Sequence, residues 1–189
     1  MKKDNNILVG DRIHTDIEIG KPGPKEVLIK NLSIAVNYID VYHRTGLYPI
    51  PLPSGIGLEA CGIIEEIGSE VDLFKVGDRV SHASMPIGAY SEKQIMPQEK
   101  LVIVPDGISN EIASCIVLKG ITAEYLLHRS YAVKKGDKVL FHAAAGGVGQ
   151  IFGQWAKSFF QRTTSWRFDP SRRFNIDIPH INSYDSIPF

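Results

Sequence analysis

Residues 138–149 read Lys-Val-Leu-Phe-His-Ala-Ala-Ala-Gly-Gly-Val-Gly, and no other stretch limits the possible folds so tightly. The apolar centre Val139-Leu140-Phe141 suits a parallel strand buried on both faces, which predicts a strand over Lys138 to His142. Small residues then leave a turn with no side chain to fill it. Gly147 to Lys157 follows with Val148, Ile151, Phe152 and Trp155 at spacings of three and four, the signature of an amphipathic helix. Strand, glycine turn and helix in this order suit a dinucleotide. The open helix start offers unpaired N–H groups and a positive dipole end to a pyrophosphate. Gly146 lets the backbone approach the phosphates, and Gly149 lets the helix pack close to its strand. The plainer alternative is a packing turn between strand and helix. A second strand ending in an acidic residue for a ribose is expected roughly 20 residues further on. Only Phe168-Asp169-Pro170 stands there, with no β-branched run before it.

From Val27 to Pro105 short apolar runs alternate with Gly, Pro and Asp, which predicts an irregular sheet or barrel of short strands. Turn chemistry recurs at Pro22-Gly23-Pro24, Gly77-Asp78 and Pro105-Asp106-Gly107. Beyond Gly107, Ser109 with Glu111 reads as a helix cap and first turn. Two helices broken near Lys119-Gly120 are expected, with Ala123, Leu126 and Leu127 on one face, and then a tight turn at Lys134 to Asp137. From Phe159 the chain loses any period, and Pro170, Pro179 and Pro188 interrupt it. An extended or disordered tail is the plain reading, and a partner-binding arm the other.

Lys and Arg number 21 against 21 Asp and Glu, dispersed through the chain, which argues against nucleic acid as a partner. Cys61 and Cys115 lie in apolar contexts and are too few for a disulfide framework or a four-cysteine zinc site, so both are read as reduced core thiols. After the opening Met-Lys-Lys no apolar stretch of signal length follows, and none of about 18 residues occurs that could span a membrane. A cytoplasmic protein with no membrane association is expected.

Several blocks now carry a resemblance. They are AVNYIDVYHRTGLYP (Ala35 to Pro49), PSGIGLEACGII (Pro53 to Ile64), VGDRV (Val76 to Val80), GAYSE (Gly88 to Glu92), LKGITAEYLL (Leu118 to Leu127) and FHAAAGGVGQ (Phe141 to Gln150). From about Pro22 to Ser158 the chain resembles the zinc-free, zeta-crystallin-like quinone oxidoreductases of the medium-chain dehydrogenase/reductase superfamily. The resemblance implies an α/β plus β fold. Residues 1–107 would be a GroES-like irregular β-barrel catalytic domain lacking its C-terminal return. Residues 108–158 would be linking helices and the first βα unit of an incomplete Rossmann domain, and 159–189 a tail unlike the family.

NADPH is the implied cofactor, bound in a cleft between the domains, and a small-molecule quinone or enone the implied substrate. By the same resemblance Asn37, Asp40 and Tyr42 line the nicotinamide side, Tyr125 contacts the cofactor, and Gly146, Gly147, Val148 and Gly149 form the pyrophosphate turn. Asn37, Asp40 and Tyr48 are the catalytic candidates, Tyr48 bordering the quinone pocket. Without the family, Asp40 and Tyr42 read as a helix-surface carboxylate and a half-buried aromatic. Glu59 reads as a structural hydrogen-bonding or ion-pairing group, and His43, His82, His128 and His142 as ordinary histidines. Zinc relatives ligate metal where Asn37, Leu58 and Lys119 stand here, so no metal is expected. A family-like homodimer is implied only with the rest of a Rossmann domain. The competing expectation is a non-catalytic GroES-like remnant serving as an interaction module, with cofactor affinity poor unless residues 159–189 place a strand beside Val139 to Phe141.

Overall fold

The computed structural model describes residues 15–159, 167–168 and 176–177. By internal contacts the chain divides into two units, residues 1–118 and 119–189.

In the first unit, β1 (Glu26–Ala35), β2 (Glu59–Ile67), β3 (Arg79–Ala83), β4 (Lys93–Pro97) and β5 (Leu101–Ile103) form one antiparallel sheet in the order β4-β1-β2-β3-β5. Among the described residues the sheet is open, with β4 and β5 as its edges. Two strands are longer than expected. β1 and β2 run through 10 and 9 residues because they pair with each other along almost their whole length, and they absorb irregularity as register shifts at Leu28/Ile29 and Asn31/Ser33 instead of stopping. Val27, Ile29, Ile64, Val80, Met96 and Leu101 from these strands bury together, with Val71 and Phe74 packed against them. Helix α1 (Tyr38–Thr45) is inserted between β1 and β2.

Helix α2 (Asn110–Glu124) leaves this sheet. Its start is fixed as the sequence suggests, with the Ile112 N–H donating to Ser109 Oγ at 3.3 Å. Arg79 secures the approach, its guanidinium donating to the carbonyls of Pro105 (2.8 Å) and Ile108 (2.7 Å). Ala113 packs on Cys61 and Val104. The expected break near Lys119-Gly120 does not occur. Gly120 lies inside α2, its lower helix propensity outweighed by the packing of Ala123 further along, and regular α-geometry ends only at a π-helical segment, Tyr125–Ser130. Cys61 is buried as expected, but Cys115 is exposed on α2, on the face turned from the core.

In the second unit, α3 (Gly147–Phe159) buries Phe152 and Ala156 against Ala123 and Leu127, with Leu126, Val148, Ile151 and Trp155 around them. Both predicted apolar faces therefore meet. Residues 138–142, expected as a strand, carry no regular secondary structure. Val139 and Phe141 still turn into the core, Phe141 stacking on Phe152 at 4.5 Å, while Leu140 is 49% exposed. The alternation is that of a strand, but a parallel strand needs neighbours to hydrogen-bond, and none lies alongside among the described residues. Arg167–Phe168 (β6) and Ile176–Asp177 (β7) pair antiparallel with each other instead. Asp169 lies outside the described residues.

His82 on β3 is buried in the first unit, and burial holds its imidazole down at about 4, an effect that the nearby Leu58 backbone only partly offsets. The unfolded chain, with an ordinary histidine near 6.5, binds the extra proton first. Stability is therefore expected to fall as pH drops from 6.5 towards 4, by about 2–3 kcal/mol from this residue. Melting followed across that window should show a shallower pH slope in His82→Leu than in the parent chain.

Candidate functional site

Asn37 sits between β1 and α1, where the chain turns from extended to helical geometry. Its backbone N–H donates to Asp40 Oδ2 at 2.9 Å, so the carboxylate three residues on closes the first helical turn. The same Oδ2 accepts the Tyr90 hydroxyl at 2.9 Å from the loop before β4. Asp40 is only 3% exposed, and its second oxygen has no hydrogen-bond partner among the described residues. The surface-carboxylate reading of Asp40 is thus corrected. A partner 50 residues away draws it inward. Burial, then the hydrogen bond and charge of Asp40, push the Tyr90 phenol up to about 12, so it keeps its proton and acts as donor.

On its side-chain end Asn37 donates from Nδ2 to Glu59 Oε2 at 2.8 Å. Glu59 opens β2, is 0% exposed, and accepts the Leu118 N–H on Oε1 at 2.8 Å. Its reading as a structural hydrogen-bonding carboxylate holds. Tyr90 was missed as a site residue, although a tyrosine beside two turn-forming small residues in Gly-Ala-Tyr-Ser-Glu stood in the sequence. Its ring covers Gly57, whose φ is +94° and whose added Cβ would lie 2.3 Å from the ring. Gly57→Ala is expected to cost about 1–3 kcal/mol and to swing Tyr90 off Asp40. A tyrosine titration would register this as a phenol returned towards its ordinary value.

Tyr42 is half-buried and packs between Tyr38 (5.4 Å) and Tyr48 (5.2 Å), the Tyr48 N–H donating to the Tyr42 carbonyl at 3.2 Å. Asn37, Asp40, Tyr42 and Tyr48 thus belong to one short stretch, α1 with its two flanks. Leu58, which stands where zinc relatives place a ligand, is buried and offers no donor atom.

The second unit holds the glycine turn. Ala143 takes a positive φ of 55°, Gly146 N–H returns to the Ala143 carbonyl at 2.8 Å, and Gln150 N–H bonds to the Gly146 carbonyl at 3.0 Å. The N–H groups of Gly147, Val148 and Gly149 therefore lie in the first turn of α3, where a helix supplies no acceptors. A Cβ at Gly149 would stand 2.4 Å from Ala144 Cα, and one at Gly147 would stand 2.7 Å from Lys119 Cδ. The turn's backbone and the helix start therefore lie too close for a side chain at position 149, and with the unpaired N–H groups of the first helical turn these residues fit a dinucleotide phosphate. Tyr125 is exposed at the head of the π-helical segment. Among the described residues no three His, Cys, Asp or Glu side chains gather as a metal site, and no helix is long and apolar enough to cross a membrane.

An antiparallel sheet carrying α1 after its first strand, followed in the chain by a helix and a glycine turn, defines the class of the alcohol-dehydrogenase catalytic domain. Residues 23–137 match the alcohol dehydrogenase GroES-like domain family, and the chain belongs to it. Within that superfamily the similarity is to quinone oxidoreductases. The Pseudomonas aeruginosa quinone oxidoreductase is 53% identical over 146 residues, covering 77% of this chain and 45% of that protein. A Burkholderia 2-haloacrylate reductase is 44% identical over 149 residues, 75% of this chain and 44% of that one. The structure of Escherichia coli quinone oxidoreductase complexed with NADPH superposes with a TM-score of 0.73 at 46% identity, over 76% of this chain and 44% of that chain. The chain thus spans about 45% of the length of the curated relatives it matches.

Proposed function

We propose that the chain carries the cofactor-facing part of an NADPH-dependent oxidoreductase that reduces quinones or related electrophilic carbonyl compounds. The observation that carries this reading is the glycine turn, where Gly149 and Ala144 come too close for any side chain. Its likeness to an enzyme solved with NADPH supports the choice of cofactor. When bound, NADPH supplies the hydride, and the chain's own residues bind, orient and exclude water. Gly147, Val148 and Gly149 hold the pyrophosphate by backbone N–H groups, Gly146 keeps the turn open for its approach, and Tyr125 adds a side-chain contact. Asn37 and Asp40, fixed by the bonds described above, orient the nicotinamide. Tyr42 lines the nicotinamide side, Tyr48 offers an aromatic face to a flat acceptor, and Tyr90 keeps its proton at Oη. Residues 1–107 act as the catalytic domain and 108–158 as the linking helices and the glycine turn with its helix.

Loss of NADPH absorbance on adding 1,4-benzoquinone tests this reading. The parent chain is expected to consume NADPH, and Asn37→Ala to lower kcat/KM by about 10- to 100-fold. A parent chain that binds NADPH yet leaves the quinone unreduced would contradict it. The unpaired segment 138–142 favours a second reading, a non-catalytic GroES-like module. That reading requires a folded chain with no affinity for NADPH.

A further inference from the structure

Helix α1 is seated on a carboxylate. Of its eight residues Asp40 is the buried one, while Ile39, Val41 and Tyr42 are half-buried. A helix is ordinarily seated by apolar side chains, and an aspartate stays buried only when it is paired. Beyond α1 and its cap residue, the bond that pairs Asp40 comes from the Tyr90 hydroxyl, 2.9 Å from Oδ2. We infer that Tyr90 is a positioning residue for α1, setting through Asp40 where the helix carries Tyr42 and Tyr48 and so how a nicotinamide and a flat acceptor are seated. The inference rests on the assignment of α1 and its flanks to the NADPH and acceptor sites made above.

A residue that positions another must itself be fixed, and Tyr90 is held from several sides. Its N–H donates to the Ile56 carbonyl at 2.9 Å. The carbonyls on either side of it, Ala89 and Ser91, accept from Asn31 Nδ2 at 3.2 and 2.9 Å. Asn31 belongs to β1, so the main chain around Tyr90 is tied to the sheet. The ring lies over Gly57, where a side chain has no room, and the hydroxyl is the end that reaches α1. Sheet, loop and helix are thus joined in series, with one hydrogen bond as the last link. Within α1 the placement passes on to Tyr42, whose carbonyl accepts the Tyr48 N–H at 3.2 Å and whose ring lies 5.2 Å from that of Tyr48. Asp40 Oδ1 accepts nothing among the described residues, so without the Tyr90 hydroxyl the buried carboxylate keeps the Asn37 N–H as its remaining partner. A carboxylate left so poorly paired is relieved when α1 shifts and admits water to it. Phenylalanine at position 90 keeps the ring over Gly57 and removes the link itself.

The test compares Tyr90→Phe, Asp40→Ala and the double variant in the 189-residue chain. The placement of α1 is read by carbon-13 spectra of ring-labelled tyrosine, the Tyr42 and Tyr48 signals being assigned by their loss in Tyr42→Phe and Tyr48→Phe. NADPH affinity is read by fluorescence titration. Tyr90→Phe is expected to shift both ring signals and to weaken NADPH binding about tenfold in the parent background. In the Asp40→Ala background it should add no shift and weaken binding by less than about twofold. Asp40→Ala should also bring the Tyr90 phenol down from about 12 towards the ordinary value near 10. Equal effects of Tyr90→Phe in both backgrounds would mean that it acts through the general stability of its loop and overturn the inference. Ring signals unmoved by Tyr90→Phe, or a phenol unmoved by Asp40→Ala, would overturn it too. If the parent chain binds no NADPH, the cofactor reading fails by itself, and the ring signals still decide whether Tyr90 places α1. If Asp40→Ala does not fold, Tyr90→Phe decides. Shifted Tyr42 and Tyr48 signals with an unchanged far-ultraviolet spectrum support the inference, and unshifted signals overturn it.

Discussion

Replacing Gly149 with alanine is expected to weaken NADPH binding by about a hundredfold and to loosen the start of α3. The new Cβ would stand 2.4 Å from Ala144 Cα and 2.5 Å from its carbonyl oxygen, both main-chain atoms that no rotamer change can move aside. Overpacking of this kind costs roughly 1–3 kcal/mol, and at 1.4 kcal/mol per tenfold the upper part of that range is about two orders of magnitude in affinity. The strain falls on the turn itself, so its backbone N–H groups lose their common direction. Gly153, one turn further along the same helix, is the matched control. A Cβ there meets nothing within 4 Å, and Gly153→Ala should stabilise α3 by up to about 1 kcal/mol while leaving NADPH affinity alone. Equal binding by Gly149→Ala and Gly153→Ala would show that the close approach has no part in holding the cofactor.

The second large effect concerns stability. Ile64 lies at the centre of the first unit's core, fully buried against Val27, Ile29, Val80, Met96 and Leu101 from four other strands. Ile64→Ala removes three carbons that the surrounding sheet cannot close over, because each neighbour is fixed by strand pairing. A loss of about 3–4 kcal/mol is expected. For a unit of this size the fall in Tm is about 12 °C or more. Val102→Ala, on the exposed side of β5, should stay within about 0.5 kcal/mol of the parent chain. Parallel melting curves for the two variants check the contrast, and a similar small loss in both would mean that the core described here does not carry the unit's stability.

How much of this could be seen in the sequence follows the range of each interaction. The apolar face of Val148, Ile151, Phe152 and Trp155 was legible because helical spacing is local, and so was the Ser109 cap. The segment Val139 to Phe141 misled because its composition reports burial, whereas a strand also needs a paired neighbour. The expected break at Gly120 overvalued one weak helix former in a helix held by its packed residues. Cys115 looked like a core thiol because its neighbours in sequence are apolar, yet which side of α2 it occupies depends on the sheet beneath. In the candidate site, Asn37, Asp40 and the glycine turn came from the resemblance, since no local rule marks them. That Asp40 is buried depends on Tyr90, and that Asn37 is oriented depends on Glu59, contacts across 50 and 22 residues that no pattern in a short window reveals.

The most direct test of the account is an NADPH titration of the purified chain, following intrinsic fluorescence and thermal melting together, since Trp155 lies on the helix that the glycine turn opens. Saturable binding of micromolar order, with a Tm that rises as NADPH is added, is the predicted result. A chain with a folded far-ultraviolet spectrum, no fluorescence change and an unmoved Tm at millimolar NADPH would contradict it.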